Sequence, residues 1–335
     1  MKIAFYELAE TDQEYIKQQL ADHELSFFTG KFSDSDLPDA GTEILSMFTG
    51  SPVTPAVVEH LPNMKLVATR TTGFDHVNLD ALAAKSIVVS NVPAYGQNTV
   101  AELAFALILA LSRKLYLGAH RVKEQGLFSF EGLQGFDLQG KTLGVIGTGH
   151  IGTYTIKIAK GFGMEVIAYD PFPNEKLAAE YGFKYMSLDE LLATADITTL
   201  HVPYMPETHH LINRENIMKM KKGSYLINTA RGGLVETVGL VEALRSGVLA
   251  GAGLDVLEEE GFVIDELNIL SNGHPKLEQL QTALADHELM HMDNVIITPH
   301  MGAQTVEALR RILETSVENI KNFIAGKPSN VVVKK

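Results

Sequence analysis

Short apolar runs alternate with helical patterns from the first residues of the chain. Ile3–Tyr6, Leu25–Phe28, Glu43–Phe48, Lys65–Thr69 and Ile87–Ser90 read as strands, and Thr11–Leu20, Pro55–His60 and Asn78–Lys85 read as helices. A small α/β unit is predicted there. Thr99–Ala119 reads as one long helix, nearly all apolar over Leu103–Leu111, which predicts burial on most sides. A loop containing Gly126, Gly132 and Gly135 follows, and βα alternation restarts at Lys141. It continues through strands near Asp196–His201, Gly223–Asn228, Leu249–Leu254 and Asn294–Thr298, the pattern of a doubly wound parallel sheet. Thr305–Ala325 is a closing helix ended by Gly326 and Pro328. The expected division is discontinuous, with residues 1–98 and 302–335 in one domain and 99–301 in the other.

The restart at Lys141 carries chemistry. The apolar run Lys141–Ile146 enters Gly147-Thr148-Gly149-His150-Ile151-Gly152, which has the spacing G-x-G-x-x-G. Apolar positions at helical intervals follow, then a second strand, Glu165–Tyr169, that ends in Asp170. This order suits a dinucleotide. Gly147 permits a sharp turn, Gly149 a close approach to pyrophosphate, and Gly152 tight packing of helix on strand. N–H groups at the helix start face the phosphates, and Asp170 accepts from the adenosine ribose. A carboxylate there favours NAD over NADP, whose 2′-phosphate it would repel. The fold class is therefore α/β, a Rossmann doubly wound parallel sheet beside a first unit that resembles a flavodoxin-like α/β domain.

Composition narrows the setting. A chain of 335 residues is too long for one ordinary core and suits two domains. Hydrophobic residues make up 45% and charged residues 21%, a normal soluble balance. Met1–Glu7 turns acidic too soon for a signal peptide, and Leu103–Leu111 is about half a membrane crossing. With no cysteine, disulfides and thiolate chemistry are excluded, and a cytoplasmic location is expected. The net charge of −13 argues against nucleic acid and against an anionic membrane surface as partners. An anionic substrate then needs a local cation.

Three further segments put unusual polar groups just past predicted strands. Ile227-Asn228-Thr229-Ala230-Arg231-Gly232-Gly233 supplies an arginine, Asp255-Val256-Leu257-Glu258-Glu259-Glu260 supplies acids, and Ile297-Thr298-Pro299-His300 supplies a histidine. In open α/β sheets the ligand crevice lies outside the carboxyl ends of the strands. Hydride transfer to a 2-keto acid leaves negative charge on the carbonyl oxygen, which histidine is suited to protonate. A carboxylate beside it holds the imidazole and favours its charged form. A guanidinium grips the substrate carboxylate as a planar fork.

The chain resembles the D-isomer-specific 2-hydroxyacid dehydrogenases over essentially its whole length. The matching motifs are Gly147–Gly152 with Asp170, His201-Val202-Pro203, Asn228–Gly232, Gly253-Leu254-Asp255-Val256 and Pro299-His300. A long Glu260–His300 segment and Asn91-Val92-Pro93-Ala94-Tyr95 are similar to the D-lactate dehydrogenase branch. The resemblance implies Arg231, Glu260 and His300 as the catalytic arginine, carboxylate and acid/base. It implies NAD contacts at His150 and Ile151 for the pyrophosphate, and at Val202, Pro203 and Thr208 on the adenosine side. Thr229 and Ala230 would line the nicotinamide, and Asp255 would accept from its carboxamide. Thr72-Gly73-Phe74 would grip the substrate carboxylate by backbone, with Tyr95 in the pocket. Members of the family are usually dimers built around the helix corresponding to 99–119, so a homodimer is expected.

One departure concerns the substrate. The lactate branch commonly has an aromatic shortly after the catalytic histidine, where this chain reads Met301-Gly302-Ala303-Gln304. A pocket lined by smaller groups takes a 2-keto acid larger than pyruvate. Hydroxypyruvate or glyoxylate reduction, and a non-catalytic NAD(H)-sensing role like that of related corepressors, are the alternative readings. His287-Glu288-Leu289-Met290-His291 matches the zinc motif H-E-x-x-H, with Glu307 or Glu314 as an imaginable third ligand. It lies in a variable connection before the last strand, so no metal is expected.

Overall fold

The computed structural model describes residues 1–33, 36–258, 260 and 276–332. The chain divides into two compact units, one of Met1–Tyr95 with Ala303–Lys335 and one of Gly96–Gly302.

In the first unit, β1 (Lys2–Phe5), β2 (Glu24–Phe27), β3 (Ile44–Met47), β4 (Leu66–Thr69) and β5 (Val88–Ser90) form one sheet in the order β2-β1-β3-β4-β5. Every pairing is parallel, and this order is the flavodoxin-like one. Helices α1 (Glu10–Gln19), α2 (Pro55–His60) and α3 (Leu79–Ala84) connect the strands. Ile3, Ile44 and Leu66 pack with Ile16 of α1 on one face, while Leu45 and Val67 pack with Val57 and Leu82 on the other. The β3 and β4 strands are buried throughout, as a parallel sheet covered on both faces requires.

In the second unit, α4 (Gln97–Ser112) and α5 (Leu115–Gln125) precede β6 (Thr142–Ile146), α6 (His150–Gly161) and β7 (Glu165–Tyr169). Next come α7 (Glu175–Tyr181), β8 (Lys184–Tyr185), α8 (Leu188–Thr194), β9 (Ile197–Leu200) and β10 (Ser224–Asn228). The unit closes with α9 (Thr237–Arg245), β11 (Leu249–Leu254), α10 (Leu277–Met290) and β12 (Val295–Ile297). The strand order β12-β11-β10-β9-β6-β7-β8 is parallel throughout and reverses direction between β6 and β9. That is the Rossmann arrangement, with its ligand crevice at the reversal. Leu107, Ile156 and Ala178 fill one face of the sheet, and Leu191, Leu240 and Leu289 fill the other. The last helix, α11 (Val306–Ile324), returns to the first unit and buries Val317 and Ile320 against Ile3, Phe5 and Ile16.

One expectation is corrected. Residues 99–119 are not a single helix. Arg113 caps α4 and Lys114 takes the left-handed conformation, φ 49°, before α5 begins. Ser112 O turns to accept from Phe136 N at 2.9 Å, so the following loop competes for the carbonyl that would have carried the helix on. Neither proline nor glycine marks the break, so no local residue signals it. The two helices also differ in setting. The α4 helix buries eight residues, whereas α5 buries none. Among the described residues, no helix is long and apolar enough to cross a membrane.

Candidate active site

The carboxyl ends of six neighbouring strands in the second unit carry the candidate residues. After β6, Gly147 adopts φ +92°, a turn that residues with a Cβ rarely make. A Cβ on Gly152 would meet Gly147 O at 2.0 Å, so only glycine lets α6 pack there. Gly149 caps α6 without a side-chain hydrogen bond, and a Cβ on it would meet nothing within 4 Å. His150 and Ile151 open α6, and their N–H groups have no intrahelical acceptor, which is what an anion site uses. At the end of β7, Asp170 Oδ2 accepts from Thr148 N at 2.8 Å and Thr148 Oγ1 at 2.9 Å. Its Oδ1 accepts from Phe172 N at 2.9 Å.

Past β9, His201 Nε2 lies 3.1 Å from both Thr155 Oγ1 and Thr199 Oγ1. Burial depresses its pKa to about 3, so this partly exposed histidine is neutral and packed. Val202 and Pro203 follow it, and Thr208 Oγ1 donates to Pro203 O at 2.8 Å, closing their turn. Past β10, Asn228 is 1% exposed and ties down the next three residues. Its Oδ1 accepts from Ala230 N at 3.0 Å and its Nδ2 donates to Arg231 O at 2.8 Å. Thr229 Oγ1 is buried and has no hydrogen-bond partner among the described residues, so it can both donate and accept there. Arg231 is partly exposed, and Nη1 donates to Ala230 O at 2.8 Å.

The three proposed catalytic groups flank adjacent strands. Arg231 follows β10, Glu260 follows β11 and His300 follows β12. His300 Nδ1 and Glu260 Oε2 are 3.2 Å apart. Arg231 is joined to that acidic segment through Gly232, where a Cβ would stand 1.9 Å from Leu257 O. Leu257 N in turn donates to Glu260 Oε1 at 3.3 Å. The neighbouring acids differ in use: Glu258 Oε1 contacts His210 Nε2 at 2.5 Å, and Oε2 accepts from Thr237 N at 3.1 Å and Oγ1 at 2.8 Å. Glu259 lies outside the described residues.

Asp255 is 1% exposed. Its Oδ1 accepts from Thr298 Oγ1 at 2.6 Å and Met301 N at 2.9 Å, and its Oδ2 accepts from Gly302 N at 2.8 Å. Desolvation raises its pKa, while these donors pull it back. The carboxylate therefore clamps the turn that bears His300.

In the first unit, Thr72-Gly73-Phe74 follows β4 and Tyr95 follows β5. Thr72 Oγ1 donates to Val92 O at 2.8 Å, and Asn91 Nδ2 to Thr72 O at 2.8 Å. Thr71 Oγ1 donates to Gly73 O at 2.5 Å, and Tyr95 O accepts from Arg311 Nε at 2.6 Å. Sequence reasoning missed Arg70, which is 4% exposed. Its Nη2 donates to Tyr6 O at 2.5 Å and Glu7 O at 2.8 Å, and its Nη1 to Ser46 Oγ at 3.1 Å. Burial lowers its pKa to about 10, which leaves it charged at neutral pH. An arginine directly after an apolar strand was the available signal. The rings of His287 and His291 of the zinc-like motif lie 4.6 Å apart and tilted by 45°, while Glu288 pairs with Arg245 at 2.6 Å.

The open helix start, the orphaned Thr229 hydroxyl and the acid ending β7 fit a dinucleotide. The model of the D-isomer specific 2-hydroxyacid dehydrogenase NAD binding domain matches residues 105–302. The chain belongs to that family. Its coenzyme is NAD. A crystal structure of D-lactate dehydrogenase from Aquifex aeolicus, complexed with NAD and lactic acid, aligns at TM-score 0.86 and 38% identity over 100% of both chains. The D-lactate dehydrogenase of Escherichia coli is 35% identical over 97% of this dehydrogenase and 98% of its own length. An aromatic 2-oxoacid reductase of Clostridium sporogenes is 42% identical over 78% of this chain and 76% of its own.

The neutral His201 gives this dehydrogenase an acid weakness. Its pKa is lower folded than unfolded, where about 6.5 applies, so below that value the unfolded chain binds the extra proton. Stability falls as pH drops from about 6.5 towards 3, by less than the full ~1.4 kcal/mol per unit because the ring is partly exposed. Thermal melts of His201→Asn against the native chain from pH 7 to pH 4 should show a shallower loss in the variant. Parallel curves would exclude His201 as the cause.

Proposed function

We propose that this dehydrogenase reduces a 2-keto acid, pyruvate or a larger analogue, to the D-2-hydroxy acid with His300 as acid/base. The observation that carries this reading is the 3.2 Å contact between His300 Nδ1 and Glu260 Oε2. It commits Nδ1 to the carboxylate and leaves Nε2 for the substrate. When bound, NADH would supply the hydride for the carbonyl carbon. His300 then supplies the proton to the carbonyl oxygen, and Glu260 keeps the imidazole oriented. The Arg231 guanidinium holds the substrate carboxylate and polarises the carbonyl, with the backbone of Thr72-Gly73-Phe74 as the second grip and Tyr95 lining the pocket.

For the coenzyme, Gly147, Gly149, His150, Ile151 and Gly152 take the pyrophosphate and Asp170 the adenosine ribose. Val202, Pro203 and Thr208 line the adenosine side. Thr229 and Ala230 border the nicotinamide, with Asp255 on its carboxamide side. The segment Met301-Gly302-Ala303-Gln304 lacks the aromatic that the lactate branch commonly carries shortly after its histidine, and the 42% identical Clostridium protein is named for aromatic 2-oxo acids. Both favour a side chain larger than methyl.

Self-association is proposed as well, now through α5 and its following loop rather than one long helix. Leu115 is 63% exposed, Tyr116 61%, Phe128 93% and Phe130 91%, a density of apolar surface that water disfavours.

Incubation with NADH and a panel of pyruvate, phenylpyruvate, 2-ketoisocaproate, hydroxypyruvate and glyoxylate should consume NADH, fastest with a bulky 2-keto acid. Coenzyme binding without oxidation by any of them would support the sensor instead. His300→Ala should lower kcat by about 10²–10⁴ with little change in KM. Arg231→Ala should lower kcat and raise the KM of the keto acid together. Full turnover by the His300 variant would remove the proton donor. Light scattering should give about twice the 36.6 kDa chain mass, and Phe128→Asp with Phe130→Asp should halve it. A native chain that runs as a monomer at micromolar concentration ends the dimer proposal.

A further inference from the structure

We propose that Thr148 and Tyr185 set the preference of this dehydrogenase for NAD over NADP by tethering the Asp170 carboxylate. The inference rests on the reading of Asp170 at the adenosine ribose. Strands β6, β7 and β8 are consecutive in the sheet, and Thr148, Asp170 and Tyr185 stand at their carboxyl ends. Tyr185 OH lies 2.8 Å from Thr148 Oγ1, and Asn174 N donates to Tyr185 OH at 3.2 Å. Thr148 Oγ1 reaches Asp170 Oδ2 at 2.9 Å.

The direction of every proton in this chain is forced. An ionised carboxylate only accepts, so Thr148 spends its one hydroxyl proton on Asp170. Tyr185 must then donate to Thr148, and its oxygen accepts from Asn174 N–H. Each bond polarises the next, so the chain acts as a unit. The Tyr185 ring is fixed in turn by an edge contact with Phe183 at 5.1 Å.

This arrangement leaves Asp170 little choice. Thr148 N and Oγ1 occupy both acceptor positions of Oδ2, and Phe172 N takes one on Oδ1. One acceptor position remains, on Oδ1, and a neutral ribose hydroxyl can fill it. A 2′-phosphate instead meets a carboxylate that three donors keep from turning away. Rejection of NADP thus depends on the tether as well as on the charge, as a site built to exclude a competitor requires. Without the Thr148 hydroxyl, two backbone N–H groups still hold the partly exposed carboxylate, but Oδ2 loses one of its two donors and the repulsion is partly relieved.

The test is the ratio of NADPH to NADH dissociation constants, measured by titrating the apo-chain and following nicotinamide fluorescence. Thr148→Val removes the hydroxyl but keeps the N–H and the shape. It should shrink the ratio about three- to tenfold, the effect of one hydrogen bond. Tyr185→Phe should shrink it less, and the double variant no further than Thr148→Val, because Tyr185 acts through Thr148. A merely structural role would weaken both coenzymes in parallel and leave the ratio fixed, and melting of the apo-variants checks that they fold. If Asp170→Ser collapses the ratio while both tether variants leave it unchanged, the tether is overturned and Asp170 keeps its place. If Asp170→Ser also leaves it unchanged, the reading of Asp170 falls and this inference with it.

Discussion

The site at the edge of the second sheet depends on a carboxylate that substrate has no reason to touch. Asp255 sits at the end of β11 with 1% exposure, where an ion without partners would be very costly. Thr298, Met301 and Gly302 supply the donors that make it tolerable. Those donors lie on both sides of His300, whose N–H is shared between Asp255 O and Thr298 O at 2.9 Å each. His300 therefore holds φ 51°, a left-handed conformation worth roughly 1–3 kcal/mol of strain for a residue with a Cβ. The strain persists because the surrounding bonds over-determine the turn, which aims the imidazole at Glu260.

Similar supports stand behind the other site groups. Asn228 clamps the Arg231 turn, and Arg70 fastens the segment before Thr72 to the ends of β1 and β3. Glu258 joins His210 to the start of α9 and so fixes the segment that carries Glu260 two residues later. In each case the group that would meet substrate sits on a loop, and a buried polar side chain from a strand end or its neighbour restrains that loop. The sheet supplies rigidity and these bonds supply aim.

Much of the fold was legible in the sequence because parallel strands buried on both faces read as continuous apolar runs. Ile44–Met47, Leu66–Thr69 and Ser224–Asn228 declared themselves this way. The break at Lys114 was not legible, because it follows from a distant carbonyl contact and not from a breaker residue. The two-residue strand Lys184–Tyr185 was hidden for a different reason: it is too short to show any periodicity. Glu258 and Glu260 belong to the same acidic run in the sequence, and only the contacts of Glu258 with His210 and Thr237 separate its use from that of Glu260.

By itself the sequence determined which residue types stand at strand ends: the glycines of the first turn, the acid after β7, and an arginine, an acid and a histidine after the later strands. Strand order is not written in local pattern, since any parallel arrangement buries the same apolar runs. The tertiary structure decided that β10, β11 and β12 lie side by side, and so that Arg231, Glu260 and His300 share one edge. It also decided which polar groups are consumed as supports, because hydrogen bonds between residues forty or more positions apart exist only once the sheet has formed.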